Sequence, residues 1–274
     1  MVDYINALRC VRQKAPLVQC ITNFVTVNDC ANIILAAGGS PSMSQDIREA
    51  GESVKGVHAL VCNMGAIDFV DSMVLAGKQA NRLGKPIVLD PVAAGGTHLR
   101  RDTARKLLNE LHFSAIRGNA SEIRFLAGQQ SAGSGVDVSA VDAITEQNLP
   151  AAVEMAKTLA RKIKSVIAVS GELDLVSDGE QTVILKNGCA TMARITGSGC
   201  MLTSLIGTFC AAMPEEPFTA AAAAMAVMGV SGELAEQRRL INKTGNATFR
   251  TDLIDAVFNL TETQLRESIR YEFF

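Results

Sequence analysis

Long basic runs are missing from this sequence. Its 26 Lys and Arg are scattered among 28 Asp and Glu, the net charge is −2, and a nucleic-acid partner is not expected. No Cys-x-x-Cys occurs. The seven cysteines, at 10, 20, 30, 62, 189, 200 and 210, are odd in number and mostly sit in apolar runs as small hydrophobes, a usage that suits a reducing cytoplasm. The first 14 residues lack the charged start and apolar core of a signal peptide. The longest apolar stretch, Phe218 to Val230, is too short to span a bilayer, so no membrane partner is expected. Around His58, His98 and His112 there is no recognisable motif, which argues against a Cys hydrolase. No internal repeat is visible.

What is present is apolar content and alternation. At 274 residues and 48% hydrophobic the chain can bury a large core, and we expect one α/β domain covering 1–274. Buried strands are predicted at Leu17 to Ile21, Ala59 to Asn63, Pro86 to Asp90, Ser114 to Ile116 and Ser165 to Val169. Helices are predicted between them: Val27 to Ala37, Gln45 to about Lys55, Asp68 to Leu83, a segment ending at Leu111, Asn119 to Ala127, and Pro150 to Lys164. Such alternation implies a parallel sheet with right-handed crossovers. Ser40 to Ser44 reads as a turn-forming loop, and Gly128 to Asn148 as a linker, a lid or a surface loop. Asp174 to Val176 and Thr182 to Lys186 flank a hairpin turn that extends the sheet antiparallel. After that the pattern is helical: Gly199 to Met213, Phe218 to Leu240, and a closing helix from Asp252.

The chain is organised around Thr196-Gly197-Ser198-Gly199-Cys200, between a strand-like run ending at Ile195 and an apolar helix. Glycines spaced this way let several N–H groups face one concavity at a helix start, which favours a phosphate or its developing charge. An ordinary strand-to-helix turn is the plain alternative. Cys200, on the first turn, stands where a thiol's pKa tends to fall.

In open α/β sheets ligands bind at the carboxyl ends of the strands. Asn23, Asn63, Asp90, Arg117, Asn119 and Ser170 all fall there. Asp90 ends an apolar strand, where a carboxylate either closes a turn or serves Mg2+ carried by a nucleotide. Arg117 is placed to clamp a phosphate or to pair with a nearby acid. Asn119 and Glu122 have capping-box spacing, which also puts a carboxylate at a helix start. Met43 reads as packing or as a soft contact for a flat heteroaromatic ring.

Taken together, Thr22-Asn23, Gly39-Ser40-Pro41-Ser42-Met43, Asn63-Met64-Gly65, Asp90-Pro91-Val92-Ala93-Ala94-Gly95, Ile116 to Glu122, Ser170-Gly171-Glu172 and Gly197 to Cys200 resemble the hydroxyethylthiazole kinases. The likeness runs from about residue 15 to 260. It implies a ribokinase-like three-layer α/β/α sandwich with a mostly parallel sheet, and transfer of the ATP γ-phosphate to the hydroxyl of 4-methyl-5-(2-hydroxyethyl)thiazole in thiamine salvage. By the same likeness Cys200 is catalytic, and Gly197, Ser198, Gly199 and Cys200 form the anion hole. Met43, Gly197 and Asn23 meet the thiazole, Arg117, Ser170 and Asn119 meet ATP, and Asp90 with Glu122 serves Mg2+. It further implies a cytoplasmic homotrimer with active sites at subunit interfaces. Two departures stand out: Ser170 replaces the more usual Thr, and Gly245-Asn246-Ala247-Thr248-Phe249 replaces Gly-Pro-Gly-Ser/Thr-Phe. The alternatives are a ribokinase-like kinase for another small alcohol, a nucleotide-dependent dehydratase, and a non-catalytic thiazole or thiamine sensor.

Overall fold

The computed structural model describes residues 2–128 and 144–274. Among the described residues nine strands form one sheet in the order β2-β1-β3-β4-β5-β6-β7-β8-β9. They are β1 Leu17–Ile21, β2 Ser40–Ser42, β3 Ala59–Asn63, β4 Ile87–Asp90, β5 Ala115–Asn119, β6 Val166–Ser170, β7 Asp174–Ser177, β8 Thr182–Leu185 and β9 Tyr271–Phe273. From β2 to β6 every pairing is parallel, and from β6 to β9 every pairing is antiparallel.

Strand periodicity decides which layer each side chain enters. Val18 and Cys20 of β1, Val61 of β3 and Val88 of β4 belong to one buried cluster. Ile21, Leu60, Cys62, Ile87 and Leu89 belong to the other. The first layer is covered by α1 Tyr4–Lys14, α2 Val27–Ala37, α8 Ser198–Ala212, α9 Pro217–Asn242, α10 Asn246–Asn259 and α11 Glu262–Ser268. The second is covered by α3 Ala50–Ser53, α4 Val70–Arg82, α5 His98–Glu110, α6 Ala120–Leu126 and α7 Leu149–Ile163. This is the expected α/β/α sandwich.

Helix α8 is placed by what its sequence omits. A Cβ on Gly207 would lie 2.3 Å from Val61 Cγ2, so glycine there lets the helix backbone rest directly on β3. Helix α9 is long and apolar enough to cross a membrane, but 83% of that apolar window is buried within the protein. It is longer than the expected apolar stretch and serves as a core helix.

Several boundaries differ from expectation. Ser40–Ser42 is an edge strand rather than a loop, because it finds β1 in parallel register. The helix expected over Gln45 to Lys55 shrinks to α3 and a following 3-10 turn, Val54–Gly56. The strand β5 runs on to Asn119, and β9 adds a ninth strand where only helix was expected. The closing helix divides into α10 and α11, because Thr261 starts a new capping box with Gln264. The run ahead of Ile195 is a 3-10 turn, Ala190–Arg194, not a strand. Most of the segment Gly128 to Asn148 lies outside the described residues.

Candidate active site

The carboxyl ends of β1, β3, β4, β5 and β6 meet the N-terminus of α8. Asp90 closes β4 and is 1% exposed. Its Oδ2 accepts from Asn63 Nδ2 at 3.0 Å and from Thr203 Oγ1 at 2.9 Å, and lies 3.8 Å from Arg117 Nη1. Its Oδ1 is buried without a partner among the described residues. Burial pushes this carboxyl above its ordinary range, against the pull of Arg117 and Thr203.

Glu122 carries out the capping box: its Oε2 accepts from Asn119 N at 2.8 Å while Asn119 Oδ1 accepts from Glu122 N at 2.9 Å. Its other oxygen accepts from Ala93 N, also at 2.8 Å. That bond holds the Pro91-to-Gly95 loop at Ala93, whose φ of +55° is a conformation non-glycine residues seldom adopt. Burial, then the nearby Asp90 charge, lifts Glu122 to about 7.

Arg117, on β5, has the nearby acid that was one of its two expected partners. Its guanidinium faces Asp90 on one side and donates through Nη2 to Ser170 Oγ at the end of β6. It also lies across the start of α8, where a Cβ on Gly199 would fall 2.4 Å from Nη1. Gly199 is therefore glycine to admit the arginine. Behind Ser170, Asp174 Oδ1 accepts from Gly171 N at 2.9 Å and closes the turn into β7.

The turn before α8 has the geometry its glycines suggest. Gly197 is the N-cap with φ +82°, and a Cβ there would lie 2.5 Å from Thr26 Cγ2. The first helical bond is Met201 N to Gly197 O, at 2.8 Å. The amides of Ser198, Gly199 and Cys200 therefore precede the helical ladder, as an anion seat requires. Asn246 Nδ2 donates to Arg194 O at 3.1 Å. The departure at Gly245 to Phe249 thus opens α10 and ties it to the 3-10 turn leading into this seat.

Cys200 corrects one expectation. Its thiol is raised to about 11, first by burial and then by the Asp90 charge. Desolvation and a neighbouring carboxylate outweigh the helix start. Asn23 Nδ2 donates to its Sγ at 3.6 Å and to Asn63 Oδ1 at 3.4 Å. Of the histidines, His58 is tied to the far end of β1, its Nδ1 accepting from Leu17 N at 3.0 Å.

Met43 follows β2 at the sheet edge, half-buried against the first layer. It stands apart from the cluster around Asp90, with β1 and β3 between β2 and β4. Thr203 was missed in the sequence because a hydroxyl inside an apolar helical run carries no pattern. Asn63 was visible as a strand-end residue.

Residues 8–263 match the model of the hydroxyethylthiazole kinase family. The chain belongs to that family. A hydroxyethylthiazole kinase from Clostridium beijerinckii is 46% identical over 253 residues, covering 92% of this chain and 90% of that protein. The solved structure of a hydroxyethylthiazole kinase protein from Pyrococcus horikoshii OT3 superposes with a TM-score of 0.85 at 34% identity, covering 99% of this chain and 98% of that one. Pyridoxal kinase from Bacillus subtilis, solved with ADP, shares the fold at 17% identity and a TM-score of 0.59, covering 78% of this chain and 90% of that one. The architecture is ribokinase-like, and membership of the family makes this chain a kinase.

The donor set around Asp90 suits a hard cation. An oxygen with no partner and two buried carboxylates near one another both call for positive charge. Among the described residues no group of three or more His, Cys, Asp or Glu forms a cage for an ion.

Proposed function

We propose that this chain, as one domain over residues 1–274, transfers the γ-phosphate of ATP to the hydroxyl of 4-methyl-5-(2-hydroxyethyl)thiazole, a thiamine salvage step. The observation that carries this reading is the Arg117 guanidinium lying against Gly199 at the start of α8, beside the partnerless oxygen of Asp90. Positive charge, free amides and a carboxylate are thereby gathered around one place for a transferring phosphoryl group. A single nine-stranded sheet supports the one-domain reading.

Phosphoryl transfer asks a protein for alignment and charge stabilisation more than for covalent chemistry. Arg117, Ser170 and Asn119 hold the ATP phosphates at the ends of β5 and β6. The amides of Gly197 to Cys200 receive the charge that builds on the transferring group. Asp90, directly or through water, with Glu122 behind it, would hold the Mg2+ that comes with ATP, which when bound would supply positive charge to the phosphates. Asn23, Gly197 and Met43 contact the thiazole. Cys200, whose thiol burial raises to about 11, orients the attacking hydroxyl in line with the leaving ADP. The hydroxyl proton passes to an oxygen of the transferred phosphoryl group as the bond to ADP breaks.

We also place this kinase in the cytoplasm as a homotrimer whose active sites lie at subunit interfaces. The free thiols support the first. Met43 on the sheet edge, with Phe24 89% and Val25 57% exposed beside Asn23, supports the second.

The test is ADP release with Mg-ATP and the thiazole, run beside hydroxymethylpyrimidine and pyridoxal at equal concentration. Turnover confined to the thiazole is expected. Preference for another alcohol would reassign the substrate. Thiazole binding without ADP formation would favour the sensor.

A further inference from the structure

Gln19 belongs to no site described so far. It lies in the middle of β1 and is fully buried, where a primary amide is costly unless both ends are bonded. Its Nε2 donates to Ser44 O at 3.0 Å, and its Oε1 accepts from Ser53 Oγ at 3.0 Å. A backbone carbonyl can only accept, so the amide has one workable orientation.

Gln19 stands opposite Ser42 as the last pair of the β1–β2 register, which ties Ser42 to the strand that carries Gln19. Strand β1 therefore holds the chain on both sides of Met43: Ser42 through the ladder and Ser44 through the Gln19 side chain. Ser44 is anchored again by its own hydroxyl, which donates to Glu49. A second tether matters because β2 has three residues and a partner on one side only, a weak hold by itself.

We propose that Gln19 is a positioning residue for the thiazole, setting where Met43 sits without touching the ligand. This rests on the reading of Met43 as a substrate contact. The nucleotide groups Arg117 and Ser170 lie on β5 and β6, three and four strands along from β1. Loss of the Gln19 amide is felt at the thiazole and not at ATP.

Steady-state kinetics of the full chain, with thiazole and Mg-ATP varied separately, test this in Gln19→Leu, Gln19→Glu, Met43→Ala and the Gln19→Leu/Met43→Ala double variant. Gln19→Glu keeps the shape but turns an acceptor toward Ser44 O, and it carries the test if Gln19→Leu does not fold. Each Gln19 variant is expected to raise the thiazole KM about fivefold with the ATP KM within about twofold, as for one lost hydrogen bond. The double variant is expected to be no worse than Met43→Ala, since both act through one contact. Equal rises in both KM values, or effects that add in the double variant, would mean a merely structural role and overturn the proposal. An unchanged thiazole KM in the Gln19 variants, with Met43→Ala impaired, removes Gln19 alone. An unchanged thiazole KM in Met43→Ala removes the reading of Met43 and this inference with it.

Discussion

The side-chain amides of Asn23 and Asn63 meet at 3.4 Å, Asn23 donating and Asn63 accepting. Asn23 Oδ1 accepts from Thr26 N at 3.1 Å and Asn63 Oδ1 from Gly65 N at 2.8 Å, so backbone donors fix which way both amides face. Their N–H groups then point at the Cys200 sulfur and the Asp90 carboxylate. One chain of hydrogen bonds joins the Cys200 thiol to the Asp90 carboxylate. A Cβ on Gly65 would fall 2.7 Å from Asn63 Oδ1, so the chain also needs that glycine.

Cys200→Asp is expected to keep turnover within about tenfold of the parent, because a carboxylate can orient the same hydroxyl and also take its proton. Cys200→Ala, which can do neither, is expected to lose roughly a hundredfold. ADP release measures both. Complete loss in a folded Cys200→Asp enzyme that still binds ATP would contradict the role.

A thiol near 11 is also slow to alkylate. Iodoacetamide at pH 8 is expected to modify Cys200 roughly a hundredfold more slowly than a free cysteine, in proportion to thiolate. The rate should climb as pH approaches 11. Peptide mass spectrometry follows it, and rapid labelling at neutral pH would show a thiolate instead.

Gly199→Ala sets a methyl group against Arg117. Displacing the guanidinium is expected to raise the ATP KM about tenfold or more, the scale of a lost charged hydrogen bond. The melting temperature should change little, since Gly199 lies at the open start of α8. An ATP KM equal to the parent's would show that Arg117 does not need this approach.

Burial lifts the Asp174 carboxyl from 3.8 to about 7, so the folded chain holds that proton more tightly than the unfolded chain. Its contribution to stability is greatest below the unfolded value and falls as pH rises toward 7. Asp174→Asn keeps an acceptor for Gly171 N–H and cannot ionise. It is expected to be more stable than the parent by about 1–2 kcal/mol at pH 8, with the difference vanishing toward pH 4. Urea unfolding at several pH values gives the answer, and a pH-independent difference would refute it.

Lys85 Nζ donates to the carbonyls of Val54, Lys55 and Val57 at 2.9, 2.6 and 2.7 Å, closing the end of the 3-10 turn onto the approach to β4. Lys85→Met is expected to cost about 1–3 kcal/mol without altering either KM, because three carbonyls lose a charged donor far from the ligands. Denaturant titration beside kinetics separates the two effects.

Much of this molecule could be read from the chain because charge at the end of an apolar run is conspicuous. Asp90 and Arg117 stood out that way, Glu122 through its capping-box spacing with Asn119, and the structure brings all three together. Gln19 and Thr203 did not, since one polar residue inside a buried run looks like filler until its partner, far along the chain, is known. The edge strands β2 and β9 were missed for a related reason. Three residues carry no period, and only the neighbouring strand makes them a strand. The Cys200 thiol was misjudged because local sequence reveals a helix start but not the burial that outweighs it.

The late position of α8 in the chain has a consequence for folding. Asn63, Asp90 and Arg117 lie on strands made early, yet the helix that supplies Thr203, Cys200 and the free amides lies more than a hundred positions beyond Asp90, 113 in the case of Thr203. A nascent chain that has not passed Ala212 carries a buried-type carboxylate with no hydroxyl to meet it and a bare sheet face where Gly207 will rest. Such long-range closure is slow and leaves sheet surface open meanwhile. The cluster around Asp90 is thus completed only once α8 has been made, and until then the nascent β1–β6 sheet is open to self-association.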